Sequence, residues 1–133
     1  MDWKLELIVL PVTDIDRAKQ FYLDKLGFNL DVDYSAGEDF RIVQLTPPGS
    51  ACSVTLMRKP ESSGSVQGLH LVVTDIEAAH AELTGRGALV SEVFHFADGA
   101  QAGGPDPARG NYNSFISFSD PDGNGWLVQE ANR

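Results

Sequence analysis

Two polar side chains interrupt apolar, strand-like runs. They are His70 in Leu69-His70-Leu71-Val72-Val73 and Gln129 in Trp126-Leu127-Val128-Gln129. Side chains alternate across a strand. Leu69, Leu71 and Val73 therefore form one apolar face and leave Gly68, His70 and Val72 on the other. Trp126 and Val128 likewise leave Leu127 and Gln129. An imidazole titrates near neutrality, so His70 can act as a general base or a hydrogen-bond donor. Alternatively, it is satisfied by Gln129 as a structural pair. In Ser53-Val54-Thr55-Leu56-Met57 the same alternation sends Val54 and Leu56 to a core and leaves Ser53, Thr55 and Met57 opposite. His95 closes a further strand beside the interval Ala97 to Asn113, which holds Arg109 and Tyr112. If that interval folds over a site, these three can orient a ligand; otherwise they are a solvated Arg and a half-buried Tyr. His80 falls on a helix, as a packing or surface residue. Asp31/Asp33 and Glu38/Asp39 lie in or near turns and read as solvated surface.

The elements that position these residues come in two copies. Val12-Thr13-Asp14-Ile15-Asp16 returns as Val73-Thr74-Asp75-Ile76-Glu77, 61 residues on. Each copy follows an apolar run and enters a helical pattern, with Asp14 (or Thr13) and Asp75 suited to cap it. Ile15, Ala18, Phe21, Tyr22 and Leu26 make one apolar helix face, ended by Gly27. Strands are predicted at 5–11, 28–32, 40–45 and 52–57. After the Ser, Gly and Pro-rich stretch 59–67 the order restarts: a strand at 69–73, a helix through Ile76, Ala79, His80 and Leu83, then strands at 90–96, 115–119 and 126–130. Asp120-Pro121-Asp122-Gly123 makes the turn before the last strand. The predicted total is eight strands and two helices. Ala97 to Asn113, with Gly99, Gly103, Gly104, Pro105, Pro107 and Gly110, has no periodicity and reads as a structureless lid or a disordered insertion.

The chain has 133 residues, enough for one compact domain. At 42% hydrophobic and 22% charged residues it has an ordinary globular composition. No apolar run approaches the ~20 residues of a membrane span. The N-terminus lacks the basic-then-apolar order of a signal peptide. A net charge of −9 speaks against a nucleic-acid partner and for a cationic ligand or plain solubility. The single cysteine, Cys52, excludes an internal disulfide, fits a cytoplasmic location and reads as a small buried hydrophobe.

Taken in register, Val12-Thr13-Asp14, Ala18, Phe21-Tyr22, Leu26-Gly27-Phe28, Val73-Thr74-Asp75 and Asp120-Pro121-Asp122-Gly123-Asn124 resemble the vicinal-oxygen-chelate superfamily. That superfamily contains glyoxalase I, the bleomycin-resistance proteins and the extradiol dioxygenases. The resemblance covers essentially the whole chain. It implies an α+β fold, a single domain over 1–133 built of two βαβββ modules (about 1–60 and 67–133). Their curved mixed sheets would form a U-shaped cleft. It further implies that metal ligands, where present, stand on the first and last strand of each module. Here those positions fall on Leu7, Thr55, Gly68 and Leu127, none of them a normal divalent-metal donor. No metal or other cofactor is therefore expected. His70 and Gln129 lie two residues further along adjacent parallel strands, where they could meet. Their first-module counterparts Val9 and Met57 offer no further ligand. The function that follows is binding or sequestration of a small organic molecule. Thr55, Met57, His70, Gln129, His95, Arg109 and Tyr112 would be its contacts. The alternative is a lyase, isomerase or dioxygenase-type enzyme working without the usual metal, with His70 as its catalytic residue. A third reading is an interaction module. Pairing of modules in this fold, within a chain or across a dimer, leads to the expectation of a homodimer.

Overall fold

A computed structural model describes residues 1–132. In chain order its elements are β1 (Leu7–Val12), α1 (Ile15–Gln20) continued by a π-helical turn (Phe21–Lys25), β2 (Asn29–Ser35), β3 (Arg41–Thr46) and β4 (Ser53–Arg58). A 3-10 turn (Pro60–Ser62) follows, then β5 (Leu69–Val73), α2 (Ile76–Gly85), β6 (Phe94–Ala97), β7 (Ala100–Gly103), β8 (Phe115–Ser119) and β9 (Gly125–Glu130). The fold is α+β, with two mixed sheets ordered β1-β4-β3-β2 and β5-β9-β8-β6-β7. In each, the first strand pairs in parallel with the last, and the remaining pairs are antiparallel. The second sheet repeats the first and adds β7. No described helix is long and apolar enough to cross a membrane.

The repeated Val-Thr-Asp motif does the same work twice. Asp14 and Asp75 both have extended backbones and act as N-caps. Asp14 accepts from the Arg17 amide, and Asp75 accepts from the Glu77 and Ala78 amides, all at 3.1 Å. Each carboxylate thereby satisfies amides that a helix start leaves without partners.

The chain divides into two compact units. One is Met1–Val66 with Asp120–Asn124, and the other is Gln67–Ser119 with the chain from Gly125 onward. In the first, Leu10, Val12, Ile15, Ala18, Tyr22, Val43, Leu45 and Leu56 are buried. The Asp120–Asn124 turn is tied into this core. Asp120 Oδ2 accepts from the Tyr22 hydroxyl at 2.8 Å and from Asn124 Nδ2 at 2.9 Å, while Oδ1 accepts from the Asp122 and Asn124 amides. Asp122 Oδ1 accepts from the Thr13 amide and hydroxyl, and Asn124 Nδ2 also donates to Pro11 O. In the second unit Ile76, Leu83, Ile116, Phe118, Trp126 and Val128 are buried, and Phe118 stacks on Trp126.

Three expectations need correction. The described residues contain nine strands rather than eight. The strand expected at 90–96 shortens to 94–97, because residues 91–93 lie off the ladder: Ser91 instead trades hydrogen bonds with Ser117. The interval 97–113 is not structureless. Asp98 and Gly99 both take positive φ (53° and 78°) and turn β6 into β7 as a two-residue hairpin, the conformation an Asp-Gly pair favours. Asp33 is exposed, as expected, and pairs at the surface with Arg41 and Lys19. The Arg41 guanidinium, followed by Lys19, holds its carboxyl well below the usual carboxylate range.

Candidate functional site

Each sheet packs one face against its helix; the other, open face is exposed mainly on the outer strands, and on the first sheet Pro11, Ser53 and Thr55 of that face are buried. On the first sheet the ladder sets two rows across the open face. One is Val9, Thr55, Gln44 and Val32; the next is Pro11, Met57, Ile42 and Tyr34. Val9, Val32 and Tyr34 are exposed. Thr55 is 4% exposed, and its hydroxyl has no hydrogen-bond partner among the described residues. On the second sheet one row is His70, Leu127 and Ser117, and the next is Val72, Gln129, Phe115 and Phe94.

These rows place the expected residues. Thr55 and Met57 lie on the open face of the first sheet. His70 and Gln129 share the open face of the second but stand in different rows. The partner of His70 is Leu127, and that of Gln129 is Val72. No hydrogen bond joins them; His70 Nδ1 instead lies 2.6 Å from Gly68 O. Parallel strands step together, but the ladder register puts the two residues on a diagonal.

The other three do not gather with them. His95 is buried on the opposite face, between Phe94 and Phe96 in the alternation, with Nδ1 2.8 Å from Gly104 O. Arg109 forks onto Glu130: Nη2 to Oε1 at 2.6 Å and Nε to Oε2 at 3.0 Å. Its Nη1 reaches Glu77 at 2.9 Å. The Glu130 side chain alternates away from Gln129, so Arg109 is held on the helix side of β9. Glu130 Oε1 also accepts from the Ile76 amide at 3.0 Å, which makes it a second cap for α2. Arg109 above all, and then the Ile76 amide, hold the Glu130 carboxyl below its ordinary range. Tyr112 has a positive φ of 65° and donates its amide to Glu130 O at 2.8 Å. The stretch expected as a lid is stitched down. Asp106 Oδ2 accepts from the Gly110 amide, Ser114 Oγ accepts from the Asp106 amide, and Asn113 bonds both the amide and the carbonyl of Phe96.

One group was missed in the sequence. Phe94, Phe96 and Phe115 meet on the open face of the second sheet, with ring centroids 5.5–6.0 Å apart. The available signal was the alternation Phe94-His95-Phe96, which puts both rings on one side of the strand and the imidazole on the other.

Leu7 and Gly68 do not stand level with Thr55 and Leu127: in each sheet the residue two further along the first strand does. Val9 pairs with Thr55 just as His70 pairs with Leu127. Leu7 and Leu127 end in hydrocarbon, Gly68 has no side chain, and the Thr55 hydroxyl is sealed from solvent. Gly68 and Leu127 line a recess of about 290 Å³ with Gln67, Ser117 and Ser119. Among the described residues no group of three or more His, Cys, Asp or Glu side chains could hold a metal ion.

Residues 4–128 match the family described as the Glyoxalase/Bleomycin resistance protein/Dioxygenase superfamily. The structure is similar to that of TnmS3, an antibiotic binding protein from Streptomyces sp. CB03234. Identity is 30%, coverage is 98% of each chain and the TM-score is 0.75. It is also similar to a glyoxalase/bleomycin resistance protein from the same organism, with 32% identity, 96% of this chain and 100% of that one covered, and a TM-score of 0.71. In sequence it is 24% identical over 127 residues to the uncharacterized protein YetH of Bacillus subtilis (strain 168), covering 92% of this chain and 94% of that protein.

Proposed function

The chain belongs to the Glyoxalase/Bleomycin resistance protein/Dioxygenase superfamily, and from that premise we propose that it binds and sequesters a small organic molecule, a drug or a metabolite, without a metal ion. The observation that carries this reading is the chemistry of the four family ligand positions. Leu7, Thr55, Gly68 and Leu127 do not fit a divalent cation, which needs imidazole, carboxylate or thiolate donors. The two open sheet faces carry apolar side chains, Val9 and Met57 on the first and Val72 and Phe115 on the second, with a few polar ones, Gln44, His70 and Gln129, the usual constitution of a small-molecule site. The similarity to an antibiotic binding protein across the whole chain supports the same reading. His70 and Gln129, which share the open face of the second sheet, are its candidate contacts. Arg109, Tyr112 and His95 act on the structure around it.

A second reading has one specific observation behind it. His70 is exposed on the open face, and among the described residues its Nε2 has no hydrogen-bond partner. A base in that position supports a metal-independent lyase or isomerase, with His70 taking a proton from a bound substrate. A homodimer in the cytoplasm suits either reading, the location resting on the lone, unpaired Cys52.

The test is a thermal-shift screen of the purified protein against a chemically mixed library, followed by calorimetry and a turnover assay on each hit. Saturable binding without product supports sequestration. Product formation that disappears in His70→Ala supports the enzyme. Metal analysis is expected to find less than one equivalent of bound transition metal. A stoichiometric ion lost on changing Thr55 or His70 would overturn the metal-free site.

A further inference from the structure

We infer that the open face of the second sheet recognises a flat aromatic ring system, neutral or cationic, laid on Phe94, Phe96 and Phe115. This deepens the small-molecule reading and rests on it. The three rings meet at interplanar angles of 88°, 26° and 70°: Phe94 and Phe115 stack, and Phe96 stands edge-on to both. Phe96 is 48% exposed. Aromatic quadrupoles favour offset-stacked and edge-to-face partners, and the faces of such rings attract cations.

Beside the cluster the sheet opens. β6 and β8 share a single ladder position, Phe94 with Phe115. A recess of about 370 Å³ lies there, lined by Phe94, Gln101, Gly103, Ser117 and Glu92. That volume is within the range of small-molecule sites, roughly 300–1,000 Å³. Gly103 stands directly across from Phe94, and a Cβ built on it meets nothing within 4 Å. Space is thus left over the Phe94 ring. The polar groups at the rim, Gln101, Ser117 and the Gln129 amide next to Phe115, can bond the heteroatoms of a ring edge.

Charge decides between ligand types. Glu92 is the one ionisable group among the residues lining the recess, its side chain is 95% exposed, and the chain carries a net −9. An anionic arene is repelled there, and a cationic one is attracted. Size decides against a second copy of the chain. A stable protein interface takes about 800 Å² from each partner, whereas this patch is three rings beside a recess with polar groups at its rim.

The probe is 9-aminoacridine, a fluorescent three-ring cation, titrated into the full chain, with naphthalene-2-sulfonate as the anionic comparison. Saturable binding is expected, with the sulfonate weaker. Phe96→Leu keeps an apolar side chain and removes a ring, and it should weaken binding about two- to tenfold, the worth of one aromatic contact. Gly103→Leu fills the space over Phe94 without backbone strain and should weaken it at least tenfold, with the melting temperature of both variants confirming the fold. Equal affinity in all three proteins, or preference for the sulfonate, would overturn the inference. Library hits indifferent to both variants would overturn it while leaving the small-molecule reading intact; no hit of any class would remove both. Loss of dimer mass in Phe96→Leu with unchanged dye binding would assign the rings to a second copy instead.

Discussion

Replacing Tyr22 by Phe deletes a single oxygen atom from a fully buried ring, and its effect can be worked out from the groups left behind. The hydroxyl donates to Asp120 Oδ2 at 2.8 Å, and Asp120 is 5% exposed. A hydrogen bond to a charged group is worth about 1.5–3 kcal/mol. Asp120 keeps its other donors: Asn124 Nδ2 on the same oxygen, and the Asp122 and Asn124 amides on the other. The carboxylate is therefore weakened but not abandoned, and the lower half of the range applies. We predict a loss of about 1.5–2 kcal/mol, which for a chain of this size lowers Tm by roughly 5–10 °C. Ring packing is untouched, so no cavity term enters; Tyr22→Ala would add one of several kcal/mol. The assay is urea unfolding followed by circular dichroism, where the midpoint should fall with the slope unchanged. A double-mutant cycle with Asp120→Asn should show coupling of at least 0.5 kcal/mol, as contacting groups do. Strictly additive losses, or a Tyr22→Phe cost below about 0.5 kcal/mol, would refute the claim that this bond holds the 120–124 turn.

Three other outcomes are expected. Gly64 has a φ of 76°, and a Cβ there would lie 2.2 Å from the Asp122 carbonyl oxygen; Gly64→Ala should therefore cost about 1–3 kcal/mol in a urea titration. The Glu130 carboxyl is held below its ordinary value of 4.5. Its contribution is complete above that pH and is lost as pH falls through the depressed folded value, so Glu130→Gln should flatten the acid limb of stability measured between pH 2 and 7. Light scattering at tens of micromolar protein should report a homodimer mass, and a monomer would count against that assembly.

How legible the fold was depended on whether a residue's neighbours in sequence determine its surroundings. The two Asp caps, the strands around Leu10, Leu56 and Val128 and the strand parity of His70, Thr55, Met57 and Gln129 all rest on local periodicity, which survives in the structure. The hairpin at Asp98-Gly99 escaped because Ala-Gln-Ala-Gly has little strand preference, although the Asp-Gly pair is itself a hairpin signal. Arg109 was read by its type, as a cation free for a ligand. Its actual partner, Glu130, is 21 residues away and had been read only as the end of a strand. His95 alternates with Phe94 and Phe96, so its burial follows from the same parity that places His70. The aromatic cluster joins β6 to β8, and no local pattern announces a contact made across a ladder.

The Asp120–Asn124 turn has a consequence for synthesis. Tyr22 is made early, and the carboxylate that receives its hydroxyl is 98 residues further along the chain. A nascent chain can form β1 to β4 and the first helix soon after they leave the ribosome. Yet Thr13, Tyr22 and the Pro11 carbonyl wait for partners that lie 98 to 113 residues further along the chain. Contacts so distant in sequence close late and slowly. A nonsense truncation after the first half would therefore release a piece that lacks the segment completing its own core, open to proteases and chaperones rather than usable as a smaller protein.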